Sequence, residues 1–225
     1  RFRRFLAGAL FFCRFRVTTN WFYGTLMTNQ LKAGDLMKNV DPIRDQRKIQ
    51  AMKTYLKGKS PRDAALFVVG INVALRITDL LNVRWRDVLD DKQHFKPLTL
   101  VEQKTGKERR IHLNKPSQKA LRDLQATLPA VSLDDYLFQS REGHQKPLSR
   151  QQALVILKEA AQAVGIKDNI GTHSLRKTWG YHAWKNGFNP ALIMETLIHS
   201  NLAVTKRYLG IRQDDINDLY GQLNL

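Results

Sequence analysis

Along most of the chain, apolar residues recur at three- and four-residue steps, the spacing of one helix face. From Met27 onward that rhythm is broken by one short extended region. "KSPRDAALFVVGINVAL" opens with Ser60 as the predicted N-cap and Pro61 at the first helical position. Asp63 then faces the positive end of the helix dipole, and the apolar density that follows predicts a buried helix. After Arg76 a second start appears in "TDLLNVRW", with Thr78 as cap and Leu80, Leu81 and Val83 turned inward. "LTLVEQ" and "RRIHL" read as two strands joined by the Gly-containing turn "KTGKE". "PSQKALRDLQATL" reads as a surface helix and "DYLFQS" as a short extended piece.

The second half is helical. "LSRQQALVILKEAAQAVGI" carries a capping box, Ser149 with Gln152, and Gly165 closes it. "THSLRKTWGYHAWKNG" is predicted to be capped by Thr172 and stopped at Gly187. "NPALIMETLIHS" repeats the device with Asn189 as cap and Pro190 first, and "VTKRYLGI" follows as a short segment. "QDDINDLYGQLNL" is an acidic amphipathic tail. There is no repeat or low-complexity tract, so residues 38–210 read as one domain, mainly α with a small antiparallel β hairpin (α+β).

Charge changes the picture more than any other global property. The formal net charge is +17, which points to a polyanionic partner, most commonly nucleic acid. The one cysteine, Cys13, excludes a disulfide framework and a cysteine-rich zinc site. No apolar run approaches the ~18–20 residues of a membrane span. The first 26 residues hold five arginines and no acids around the apolar centre "FLAGALFFC". Arginines follow that run at once and no small-residue cleavage site appears, which argues against a secretory signal. Two readings stay open: a basic-aromatic arm contacting DNA, or a stretch ahead of a true start at Met27.

Taken singly, the polar candidates have ordinary explanations. His173 and Arg176 share a helix face at i, i+3 and can reach one ligand together. Arg76 can pair with Asp79; Lys104 is a turn lysine; His199 sits at a helix end; Tyr208 can be a core-edge aromatic. Their order is what carries information: "ALRITDLL", "EQKTGKERRIHL", "HSLR", "LIHS", "VTKRYLG". That order resembles the tyrosine recombinase (phage integrase) family over roughly residues 60–212.

The resemblance implies the catalytic-domain fold of that family and a role for each residue. Arg76 and Arg176 would bind the phosphate, Lys104 would be the hairpin lysine, and His173 would pair with Arg176. His199 would be the second histidine and Tyr208, nine residues later, the nucleophile. It also implies a site-specific recombinase working without metal, ATP or other cofactor, through a 3′-phosphotyrosine intermediate. The partners implied are double-stranded DNA and other copies of the chain, as a homo-tetramer on paired sites, with a monomer in the absence of DNA. The implied setting is the cytoplasm of a bacterial or phage context, with no membrane.

The chemistry suits these residue types. Two guanidiniums bind phosphate oxygens bidentately and keep their charge, while a phenol must be activated by a base or a positive field. His173 is the candidate base, His199 a phosphate hydrogen-bonder, and Lys104 the proton donor to the leaving 5′ oxygen. Two departures from the family pattern stand out: Ile198 replaces the usual glycine before the second histidine, and Lys177-Thr178 replaces the commoner His-Thr. About 37 residues precede the catalytic region, too few for the family's usual core-binding domain. The segment 211–225, with Ile211, Ile216, Leu219 and Leu223, reads as a tail docking on a neighbouring protomer or on its own domain. Tyr220 is a rival nucleophile by type but lacks the spacing to a histidine. The alternative readings are a type IB topoisomerase-like activity and a DNA-binding remnant without recombination.

Overall fold

The computed structural model describes residues 40–101, 106, 108–141, 145–212, 215, 217, 220 and 221. The basic segment 1–37, Lys104, and Ile216, Leu219 and Leu223 of the tail stripe lie outside the described residues.

Helix α1 (Gln46–Lys59) begins where the Asp45 side chain accepts from Arg47 N at 2.7 Å, and it turns Ile49, Met52 and Leu56 inward. Helix α2 (Pro61–Val73) starts as the sequence predicts, with Ser60 capping Asp63 N and Pro61 first. Ala65 through Ile71 are all buried, and α2 packs against α1, α5 (Lys115–Gln125) and α7 (Thr172–Lys185). Each large apolar side chain buried there contributes about 1.5–3 kcal/mol, so α2 is the pillar of the main core.

Short helices α3 (Ile77–Leu81) and α4 (Trp85–Val88) lead to β1 (Leu98–Val101) and β2 (Glu108–Ile111). These two strands pair antiparallel, Leu98 opposite Ile111 and Val101 opposite Glu108, as the hairpin reading expected. Helix α6 (Arg150–Ala163) carries the reciprocal Ser149–Gln152 capping box, and Gly165 follows it at φ +67°. Helices α8 (Pro190–Thr196) and α9 (Leu202–Leu209) complete the order.

Two expectations are corrected. Thr78 is not a cap: α3 starts at Ile77, with Arg76 in the cap position and no side-chain capping bond. The backbone leaves α2 through a left-handed Ala74 (φ 54°), and burial of both Leu75 and Ile77 sets the earlier start. At α7 the cap position belongs to Gly171, whose N–H donates to Ser174 Oγ at 3.0 Å, while Thr172 is buried inside the helix. The short segment "VTKRYLGI", whose conformation the sequence left open, lies mostly in α9, which Asn201 caps by accepting from Val204 N at 2.9 Å.

A second, smaller apolar cluster lies where α7, α8 and α9 meet. It holds Ala74, Ile193, Leu197 and Leu209, with Trp179, Trp184 and Tyr208 packed against it. Gly180 sets the spacing there: a Cβ at this position would meet Leu209 Cδ2 at 2.5 Å. Among the described residues, no helix is long and apolar enough to cross a membrane.

Candidate active site

The site forms where three helix ends meet the middle of α7. Arg176 is 3% exposed; its Nη1 donates to the Ala74 carbonyl and its Nη2 to the Leu197 carbonyl, both at 2.6 Å. Those carbonyls end α2 and α8, where the helix dipoles are negative. The guanidinium thus has a built socket of carbonyls that leaves its net positive charge in place. One turn earlier on the same face, His173 remains open to solvent. Arg76 lies just beyond α2, anchored by buried Leu75 and Ile77 on either side, with its Nη1 3.9 Å from Asp79 Oδ2.

His199 is placed by the way α8 ends. Its N–H donates to the Met194 carbonyl at 3.0 Å and Ile198 N–H to the Glu195 carbonyl at 2.9 Å, the bonding of a Schellman motif. That motif needs a left-handed residue, and Ile198 supplies it at φ 49°. This explains why glycine suits the position: a β-branched residue pays about 1–2 kcal/mol of backbone strain there. Ile198→Gly is therefore expected to stabilise the fold by about 1 kcal/mol after the glycine's extra chain entropy, a Tm rise of roughly 2–4 °C. A thermal melt showing no rise would contradict the strain.

Tyr208 sits in the last turn of α9, and its ring meets the His199 ring edge-on at 4.8 Å between centroids. His199 Nδ1 lies 3.1 Å from Oγ1 of Thr205, a buried residue one turn before Tyr208. The electrostatics tie the set together. Burial pushes the Tyr208 phenol above its ordinary value, opposed by the charge and a hydrogen bond of Arg176 and by the charge of Arg76. His199 is held below the usual imidazole range by burial, then by Arg176 and Arg76. His173 is lowered by the protein packed around it, then by Arg150, Arg176, Lys177 and Arg76. Near neutral pH both imidazoles are therefore neutral and the phenol keeps its proton.

Five of the six residues named from the sequence are thus gathered around one positive field: Arg76, His173, Arg176, His199 and Tyr208. The sixth, Lys104, lies outside the described residues. Tyr220 stands 78% exposed. Sequence reasoning gave no role to three further residues here: Arg150, Thr205 and Lys177, the last noted only as a departure from the family pattern. Lys177 is 4% exposed, and its Nζ stands 5.0 Å from the centroid of the Tyr208 ring. Its signal was faint, a cation directly after Arg176 with apolar neighbours on the same helix; Thr205 could have been found once Asn201 was read as a cap. Among the described residues, no group of three His, Cys, Asp or Glu side chains gathers to hold a metal. The gathered donors are instead suited to an oxyanion with several oxygens.

Residues 44–214 match the model of the phage integrase family. The chain is also 41% identical over 184 residues to the probable integrase/recombinase YoeC of Bacillus subtilis, covering 82% of this chain and 97% of that one. It belongs to the phage integrase family. Members of this family are tyrosine recombinases, an enzyme class of DNA strand transferases. Tyrosine recombinase XerD of Corynebacterium glutamicum is 27% identical over 162 residues, 71% of this chain but 51% of XerD. The fold is that of solved tyrosine recombinases. It matches XerA recombinase with a TM-score of 0.64 at 20% identity, covering 79% of this chain and 63% of that one. It also matches XerH, solved bound to a palindromic difH substrate after cleavage, with a TM-score of 0.63 at 13% identity over 79% and 51%.

Proposed function

We propose that this recombinase cleaves and rejoins double-stranded DNA with Tyr208 as its nucleophile. The Tyr208 oxygen attacks phosphorus and its proton passes to neutral His173. The bond to the 5′ oxygen breaks, and that oxygen leaves with a proton from Lys104. Arg76 and Arg176 hold the non-bridging oxygens, and His199 hydrogen-bonds to them. The 3′-phosphotyrosine left behind keeps the phosphoester bond energy, so attack by a 5′ hydroxyl rejoins a strand without ATP or metal. The single observation carrying this reading is that Arg176, seated on the Ala74 and Leu197 carbonyls, lies at the helix end that places His199, whose ring meets the Tyr208 ring at 4.8 Å. The net charge of +17 supports a DNA partner, as do solved relatives bound to DNA.

The working unit we propose is a homo-tetramer on paired sites, with the end of the tail docking on a neighbouring protomer while its root stays on its own domain, where Asp215 accepts from the Tyr181 hydroxyl at 3.1 Å. Phe188 and Leu192, 62% and 58% exposed on the rim of a cavity of about 720 Å³ between α1, α7 and α8, support an apolar contact there.

A nicked suicide DNA carrying the target site tests the chemistry. A covalent adduct mapping to Tyr208, formed equally well in EDTA, is expected. Its rate should fall on acidification, with a midpoint below the ordinary imidazole value, because His173 must be neutral to take the proton. Salt-sensitive binding without any adduct would leave only a DNA-binding protein. Loss of the adduct in EDTA would indicate a metal nuclease instead.

A further inference from the structure

The mechanism above leaves Lys177 without a task, although it is a buried cation against the nucleophile. We propose that Lys177 is a positioning residue for Tyr208, tying it to the segment 40–44, which straps the nucleophile's helix to α7. This rests on the reading of Tyr208 as nucleophile.

Lys177 Nζ donates to the Val40 carbonyl at 2.8 Å while standing 5.0 Å from the centroid of the Tyr208 ring. One side chain therefore touches both the entering backbone and the phenol. The rest of segment 40–44 is fixed at both ends of the same unit. Ile43 N donates to Thr178 Oγ1 at 2.9 Å, and His182 Nε2 donates to the Ile43 carbonyl at 2.9 Å, which binds the strap to α7. Arg44 Nη2 donates to the carbonyl of Gly210, the left-handed residue that ends α9, at 2.9 Å. Asp41 lies 3.9 Å from Arg44 Nη1 and 3.7 Å from Arg212 Nη2. The strap thus holds Tyr208 at its ring through Lys177 and at the end of its helix through Arg44.

The placement has a chemical consequence. Attack on phosphorus draws the phenol toward phenolate, and a cation beside the ring favours that direction. The groups facing the phenol are Arg76 beyond α2, Arg176 and Lys177 on α7, and the neutral His199 ring beyond α8. Arg176 is seated by two carbonyls, reaches the Tyr208 oxygen and is assigned to the phosphate. Lys177 addresses the ring and the strap, and it also bears on His173, so its removal acts on the nucleophile at the alkaline limb and on the base at the acid limb of the pH profile.

The test compares adduct formation on suicide DNA by wild type, Lys177→Met and Lys177→Arg over neutral to alkaline pH, with DNA affinity measured alongside. Lys177→Met is expected to slow adduct formation about 10-fold at unchanged affinity and to move its alkaline rise to higher pH. Lys177→Arg, keeping a cation and donors, should recover most of the rate. Wild-type rate and pH profile in Lys177→Met would overturn the proposal, as would an equal loss of affinity and rate. Should Lys177→Met fail a thermal melt, Arg44→Gln loosens the strap at Gly210 and is expected to slow cleavage in the same direction; an unchanged rate there also overturns it. If wild type itself gives no adduct, the nucleophile assignment fails first.

Discussion

Arg176→Ala is expected to reduce single-turnover cleavage by at least about 10²–10³-fold while weakening DNA binding far less. The charge matters most when negative charge builds on the phosphoryl oxygens, so its loss is felt in the transition state. The same substitution has a second cost. It orphans the carbonyls of Ala74 and Leu197, each accepting a 2.6 Å bond in a buried place. Leaving such groups unsatisfied costs about 1–3 kcal/mol apiece, and the emptied socket adds to it. A urea melt should therefore show several kcal/mol of destabilisation, and cleavage must be measured where the variant is folded. Arg176→Lys separates the two effects: it keeps a charge but cannot fork between two carbonyls, so it should recover stability only in part and cleavage very little. Equal losses of binding and cleavage in Arg176→Ala would reduce Arg176 to a backbone anchor.

Tyr208→Phe should abolish the covalent adduct outright while leaving the fold and DNA affinity close to wild type. The ring packs against the small cluster of Leu197 and Leu209 and against His199, and phenylalanine keeps those contacts. What disappears is the oxygen, which hydrogen-bonds to Arg176. The lost bond is to a charged guanidinium, so the melt should show a loss of about 1.5–3 kcal/mol with the fold retained. Burial holds the phenol protonated, so its oxygen is dormant until a phosphate and a base are in place. An adduct persisting in Tyr208→Phe would move the nucleophile elsewhere, with exposed Tyr220 the first alternative.

Much of this was legible from residue order. The caps at Ser60, Ser149 and Asn189 marked helix starts because the capping bond is local, made within three residues. The hairpin was legible because alternation and a glycine turn are local too. The starts misread at Thr78 and Thr172 failed for the opposite reason. Both threonines have the right chemistry for a cap, but burial of their neighbours against other helices moved the start by a residue or more.

Residue types and their order determined, without coordinates, the mainly helical class with its hairpin, the basic partner-facing character and the set of groups able to handle a phosphoryl transfer. Capping, alternation and charge are properties of short stretches, so the linear chain states them. Tertiary structure alone decided that Arg176 is seated by two distant carbonyls, that Ile198 is driven into a left-handed conformation, and that Lys177 reaches the Tyr208 ring. Each of those depends on where helices remote in sequence stop and meet. No local pattern encodes such meetings, because they are fixed by packing around Gly180 and the cluster of Ile193, Leu197 and Leu209.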